Sequence, residues 1–375
     1  MLVTTPGRDL RRLKMTETVA VQPTAVSATS SLVDRLKATN DSRLAAINAS
    51  RPKHAKREYP SDATLIAWTT GVFYPFSRGL HYVAVPLSFV FLLTCAWTIF
   101  IVNYDGADAM CVGLMNAESA FRMCLTALSF LLVYRLNRSA TRHYEARQLC
   151  GLIIINCRDL AVTSVSLLNA HPETCDKLCE IAVGFPVAFM LHIWGDPASR
   201  ADAFATMCDG VFDAPTMDAL KAAKSRPLFL IERAQRIILE HYRRESLVLD
   251  QHRAVLESRV YNSLMNTARG LGVPLGGCER IQGTPLPFAY VAHLRSFLLL
   301  ILSGIPIVYG CEWHWATIPL STLIAFGLLG VEGASVECER PFSSTPTKNE
   351  HDLEKFCTVL STDVMEILER AVPSV

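Results

Sequence analysis

Twenty consecutive residues without a charge, Val83 to Val102, narrow what this chain can become more than any other feature. A helix crosses the ~30 Å hydrocarbon layer of a bilayer in about 20 apolar residues, and within that layer only helices and closed barrels satisfy their own backbone. Three more uncharged runs follow, Met123 to Tyr134, Ser296 to Cys311 and Trp313 to Val331. The last has spanning length, Ser296 to Cys311 is shorter, and Met123 to Tyr134 is only twelve residues, bounded by Arg122 and Arg135. A span that short does not face lipid along its full length, so its charged ends are expected to line water or protein. Composition agrees with a membrane class: half of the 375 residues are apolar and 19% are charged, against about 25% charged in ordinary soluble domains. With no internal repeat and no strand-like alternation, the expectation is an all-α integral membrane protein. Its four spans fall at about 82–103, 119–137, 289–310 and 313–334, with a helical inner region at 138–288.

The loops give the orientation, because segments on the cytosolic side collect Lys and Arg close to the membrane. The connector from Asn103 to Glu118 carries Asp105, Asp108 and Glu118 and no Lys or Arg. Twelve Lys and Arg precede Val83, and seventeen lie between Arg138 and Phe288, so both termini and the middle segment are expected on the cytosolic or stromal side. That middle segment is too charged to span. Within Pro227 to Gly270, Leu230, Ile231, Ile237, Ile238 and Tyr242 recur at helical spacing, and Gly270 supplies a stop. Asp202 to Pro215 reads as a helix connection. Residues 1–60, rich in Ser, Thr, Ala, Lys and Arg, cannot bury enough apolar surface to fold alone and read as a disordered tail or a transit segment. Residues 346–375 read as a helical tail.

Several function classes drop out. A net charge of +1 without basic blocks interleaved with aromatics gives no nucleic-acid surface. No HExxH, Walker loop, nucleophile elbow or dinucleotide fingerprint is present, which leaves no enzyme signature. His171, Cys175 and Cys179 are spaced by four, but zinc wants a fourth ligand and none is close in sequence, so buried inert thiols are expected. Cys111 and Cys311 fall in the two short connectors on the acid-bearing side, where an oxidising compartment would let them pair.

In the second span Thr126, Phe130 and Tyr134 are spaced by four and share one helical stripe. At ~1.5 Å per residue the stripe is ~12 Å long, the height of a narrow constriction. Spacing alone leaves ordinary helix packing open as a second explanation. A resemblance favours the constriction. LSFLLVYRLNRSATRHYEARQLCGLIIINCRDLA, Leu128 to Ala161, resembles the second span of the bestrophin family of anion channels, where a pattern like SFLLxFRxNxSxxRWxEAR recurs. CERIQGTPLPFAYVAHLRSFLLL, Cys278 to Leu300, is similar to that family's ERIxxTPxPxxYxxHLR segment before the third span. LIAFGLLGVEGASVECERPF, Leu323 to Phe342, is similar to its AFxLLGIExIGxxIExPF segment at the end of the fourth.

The resemblance implies a homopentamer in a lipid bilayer, passing chloride, bicarbonate or nitrate through one central pore. It puts a neck at Thr126, Phe130 and Tyr134, anchored by Ser129 and Arg135, and a basic inner vestibule at Arg135, Arg138, Arg142 and Arg147. The residues themselves leave those arginines free to pair instead with Glu145, Asp159 or lipid phosphate. Glu332, Glu337 and Glu339 at the end of the fourth span read as helix-end carboxylates or as partners of Arg280 or Arg295. Thr126 departs from the family, which places an apolar residue there. So does the segment after Pro341-Phe342, where animal members carry an acidic run that binds Ca²⁺. Glu350 and Asp352 are the candidate ligands, mixed here with Lys348 and Lys355, and no cofactor is expected. A non-conducting membrane scaffold of the same fold is the alternative. The membrane is left open between plasma membrane and an organelle such as the thylakoid.

Overall fold

A single helix of fifty residues, Glu118–Leu167, organises the molecule. At ~1.5 Å per residue it is ~75 Å long, more than twice what a bilayer needs. The computed structural model describes residues 26–49, 80–104, 107–195, 201–246, 251–342 and 351–371, and every regular element among them is helical. In chain order these are α1 (Val26–Ala49), α2 (Leu80–Asn103), α3 (Ala107–Asn116), α4 (Glu118–Leu167), α5 (Pro172–Ile193), α6 (Ala201–Met207), α7 (Ala214–Ala222), α8 (Arg226–Ser246), α9 (Gln251–Gly270), α10 (Gly272–Gly283), α11 (Phe288–Trp313), α12 (Thr317–Glu339) and α13 (Leu353–Ala371).

The buried residues of α4 include Leu128, Leu132, Arg135, Ser139, Ala146, Cys150, Ile153, Cys157 and Leu160. Steps of three, four and seven keep them on one face. That face enters two cores in turn. Leu128 and Leu132 pack with Val83 and Val90 of α2, Leu294, Leu298, Ile301 and Leu302 of α11, and Ala325 and Leu329 of α12. Ala146, Cys150, Ile153 and Cys157 join the larger core built on α5, with α1, α6, α8, α9, α10 and α13 around it. The charges at Arg135, Arg138, Arg142 and Arg147 end the uncharged run but not the helix.

Among the described residues three stretches are long and apolar enough to cross a membrane, Tyr82–Asn103, Glu118–Leu167 and Phe288–Glu339. The third is two helices, broken at His314, whose φ of 48° turns the chain. An Arg295–Glu332 ion pair joins the start of α11 to the end of α12, so the two are antiparallel and the described residues supply four candidate crossing legs. At the connector end of the bundle Cys111 of α3 and Cys311 of α11 form a disulfide with Cα atoms 5.7 Å apart.

Two expectations need correcting. Residues 1–60 are not featureless: α1 forms within them, and its Leu32, Leu36 and Ile47 are buried against the inner core. α5, α6 and α13 supply the apolar surface that α1 lacks by itself; the rest of 1–60 lies outside the described residues. Gly210 makes the approach of α1 possible. Its φ of +70° suits glycine, and a Cβ there would sit 2.8 Å from Cγ2 of Thr39. Asp202 to Pro215, expected to be a connection throughout, contains most of α6, whose Ala-rich ADAFATM carries Asp202 in its first turn. Cys175 and Cys179 are buried as expected, while His171 sits half-exposed at the N-cap of α5.

Candidate pore-lining site

The span half of α4 has two unlike faces. Leu128 and Leu132 are buried, whereas Met123, Phe130, Val133 and Tyr134 are 76%, 73%, 66% and 55% exposed. Thr126 is exposed as well. This chain therefore leaves one side of α4 apolar and bare along the stripe Thr126, Phe130, Tyr134. The two side-chain hydroxyls of Thr126 and Ser129 are satisfied within the helix. The Thr126 hydroxyl donates to the Arg122 carbonyl at 2.9 Å and the Ser129 hydroxyl to the Leu125 carbonyl at 2.9 Å. Ser129 thus braces its own helix instead of a ring. Tyr134 is held from α11, where the Tyr290 ring meets it edge to face at 6.2 Å between centroids.

The four arginines of this stretch are placed differently. Arg135 is fully buried on the opposite face of α4. Its Nε donates to Oε2 of Glu332 at 2.5 Å and its Nη2 to Oε2 of Glu339 at 3.3 Å. Arg295 of α11 donates through Nε to Oε1 of Glu332 at 2.7 Å, and Oε1 of Glu339 accepts the Leu286 backbone N–H at 3.3 Å. Two cations and two carboxylates therefore knit α4, α11 and α12. A charge this deep needs such partners, because desolvation without them costs several kcal/mol. Arg135 cannot present its charge to a vestibule from there.

Arg142 is also committed. Its Nε donates to the Glu339 carbonyl at 3.1 Å, its Nη1 to the Thr284 carbonyl at 2.7 Å and its Nη2 to the Ile281 carbonyl. These oxygens lie at the C-terminal ends of α10 and α12, where carbonyls lack intrahelical partners and the helix dipole favours a cation. Arg147 lies over the Phe356 ring, 4.7 Å from its centroid. Glu145 pairs with Arg280 and not with Arg142. Arg138 is left exposed, and it forms no ion pair among the described residues. It stands one turn beyond Tyr134 and continues the stripe at the same spacing of four. The structure thus brings Thr126, Phe130, Tyr134 and Arg138 onto one bare face and withdraws Arg135 and Arg142 from it. Of the candidate Ca²⁺ ligands, Glu350 lies outside the described residues, and Asp352 immediately precedes α13.

Comparison with known proteins adds the following. The family model described as Bacterial/Fungal Bestrophin protein matches residues 67–366. A protein of Synechocystis named as a voltage-dependent anion channel-forming protein is 26% identical over 246 residues, 64% of this chain and 75% of that protein. A protein of Arabidopsis thaliana named voltage-dependent chloride channel 1, chloroplastic, is 26% identical over 261 residues, 68% of this chain and 57% of that one. The crystal structure of a bacterial bestrophin homolog from Klebsiella pneumoniae superposes with a TM-score of 0.62 at 21% identity, covering 76% of this chain and 97% of that one. At that identity the structural likeness speaks to the fold.

Proposed function

This chain belongs to the bestrophin family of bacterial and fungal type, and from that premise we propose that it assembles as a homopentamer around a central anion pore whose neck is Thr126, Phe130 and Tyr134. It is an anion channel and not an enzyme, in line with the names its relatives carry. One observation supports the neck above all others: α4 leaves a stripe of exposed apolar side chains that ends on the exposed Arg138. A bare face of that kind needs neighbours, and copies of itself around an axis would supply them.

The chemistry of such a ring suits a small, partly dehydrated monovalent anion such as chloride, bicarbonate or nitrate. Aromatic rings are positive at their edges, so five Phe130 and five Tyr134 edges facing inward favour an anion over a cation. A hydrophobic constriction also gates by losing water. Five Arg138 side chains at its inner mouth would raise the local anion concentration by field focusing. In this reading both termini face the cytosol or stroma, and the membrane is the plasma membrane or that of an organelle such as the chloroplast. The exposed Thr126 hydroxyl makes the outermost ring easier to wet.

The test is reconstitution of the purified full-length protein in planar bilayers, with its mass in detergent measured by light scattering. Anion current with bi-ionic reversal potentials that change on Phe130→Ala, from a particle of five subunits, is the expected result. Intact pentamers without current would favour the scaffold, and a particle of another size would remove the five-fold neck.

A further inference from the structure

Among the described residues outside the bare stripe of α4, one cluster of ligating side chains remains unexplained. His171 at the N-cap of α5 meets His241 and Glu245 near the C-terminal end of α8, and one ligand atom from each lies within 4.8 Å of the others. His241 and Glu245 are spaced by four, which puts both on the face of α8 turned to α5. The two imidazoles are edge to face with centroids 4.6 Å apart. Nδ1 of His171 is 3.8 Å from Oε1 of Glu245, too far for a hydrogen bond. His171 does not cap its own helix with its side chain. Three good ligand atoms therefore converge without bonding one another.

We propose that His171, His241 and Glu245 bind a zinc-type divalent transition-metal cation that links α5 to α8 on the inner side of the membrane. Zinc bonds of about 2.0–2.1 Å in tetrahedral array place ligand atoms about 3.4 Å apart. His171 and Glu245 are each partly exposed, so rotamer shifts close the remaining gap, and water takes the fourth position. Two imidazoles with one carboxylate suit zinc better than calcium or magnesium, which favour all-oxygen sites. Lys177, Arg233, Arg236 and Arg244 lie around His241 with Glu173 and Glu240. Lys177 is paired with Glu173 and Arg236 with Glu232, which offsets part of that positive charge.

The experiment uses the full-length protein in detergent, stripped of metal and titrated calorimetrically with Zn²⁺. Co²⁺ is added separately and followed by visible absorption. One ion per subunit is expected, with cobalt bands that lack the intense thiolate charge transfer a cysteine ligand would give. His171→Asn keeps a good N-cap residue and removes the imidazole, and Glu245→Gln keeps the shape of its side chain. Each should bind at least about tenfold more weakly, since altering even an outer-shell partner of a metal ligand costs about that much, with an unchanged elution volume. No stoichiometric uptake, a thiolate band, or affinity equal to wild type in both variants would overturn the assignment.

Discussion

Arg135→Met tests the buried ion network directly. In the wild type, Arg135 and Arg295 balance Glu332 and Glu339 in a site where Arg135 is fully buried and both carboxylates are largely so. Methionine is about the right length and apolar, so little cavity is left. What remains is Glu332 held by Arg295 alone and Glu339 held by the Leu286 N–H, with one uncompensated negative charge beneath the span. Removing one partner of a buried pair costs about 3–5 kcal/mol. At about 2 °C per kcal/mol, the lower end of the conversion for large domains, the melting temperature should fall by roughly 6–10 °C. Arg135→Met with Glu339→Gln removes charge from both sides, so the double variant should recover part of that loss and give a coupling energy of about 1–3 kcal/mol.

The assay is thermal unfolding in detergent read by size exclusion, with single-channel current from the surviving protein. Because Arg135 points away from the stripe, current per channel should stay near wild type in Arg135→Met and fall in Arg138→Ala. A melting temperature within about 1–2 °C of wild type, the range of an ordinary surface substitution, would refute the buried network. So would a stable Arg135→Met protein with reduced current, which would put that guanidinium in the pore.

Thr126→Ile should lower anion flux from reconstituted vesicles by making the outer ring harder to wet, and unchanged flux would remove that role for the hydroxyl. Gly210→Ala should destabilise the docking of α1 by at least about 1–2 kcal/mol from backbone conformation alone, read as earlier protease cleavage around residues 26–49. Reduction of the Cys111–Cys311 bond should lower the melting temperature by several degrees, since it closes a loop of 200 residues; free thiols at both positions in natively extracted protein would show that the pair does not form. Asp176 is buried, and burial first, then the charge of Glu180, push its pKa up to about 7 against the opposing pull of Arg35. The folded state thus holds this proton more tightly than the unfolded chain, and its stabilising effect is complete below the ordinary pKa of 3.8 and lost as pH rises through about 7. Asp176→Asn should accordingly raise the melting temperature at pH 8 and give a gain that shrinks towards pH 4.

What could be read in the chain was decided by whether the signal lay within one element or between two. Spans and stripe are local: uncharged runs mark α2, α11 and α12, and a spacing of four puts Thr126, Phe130 and Tyr134 together by helical register alone. The core contacts of α1 are not local. Leu32, Leu36 and Ile47 are too sparse to nominate a stable helix, and only the surfaces of α5, α6 and α13 make their burial worthwhile. His171 likewise looked towards Cys175 and Cys179 on its own helix, when its companions were His241 and Glu245 some seventy residues further on. Arg135 is the instructive case, because its placement was legible and was obscured by the company it keeps. Four arginines in thirteen residues suggest one basic surface, yet their helical positions differ. Arg135 follows Leu128 by seven and Leu132 by three and precedes Ser139 by four, so it lies on the buried stripe, while Arg138 follows Tyr134 by four and lies on the bare one. A guanidinium on a buried stripe demands a carboxylate from another helix, and the end of the fourth span offered Glu332 and Glu339. By register instead of by charge, the same cluster divides into one arginine that holds the helices together and one left exposed on the bare face.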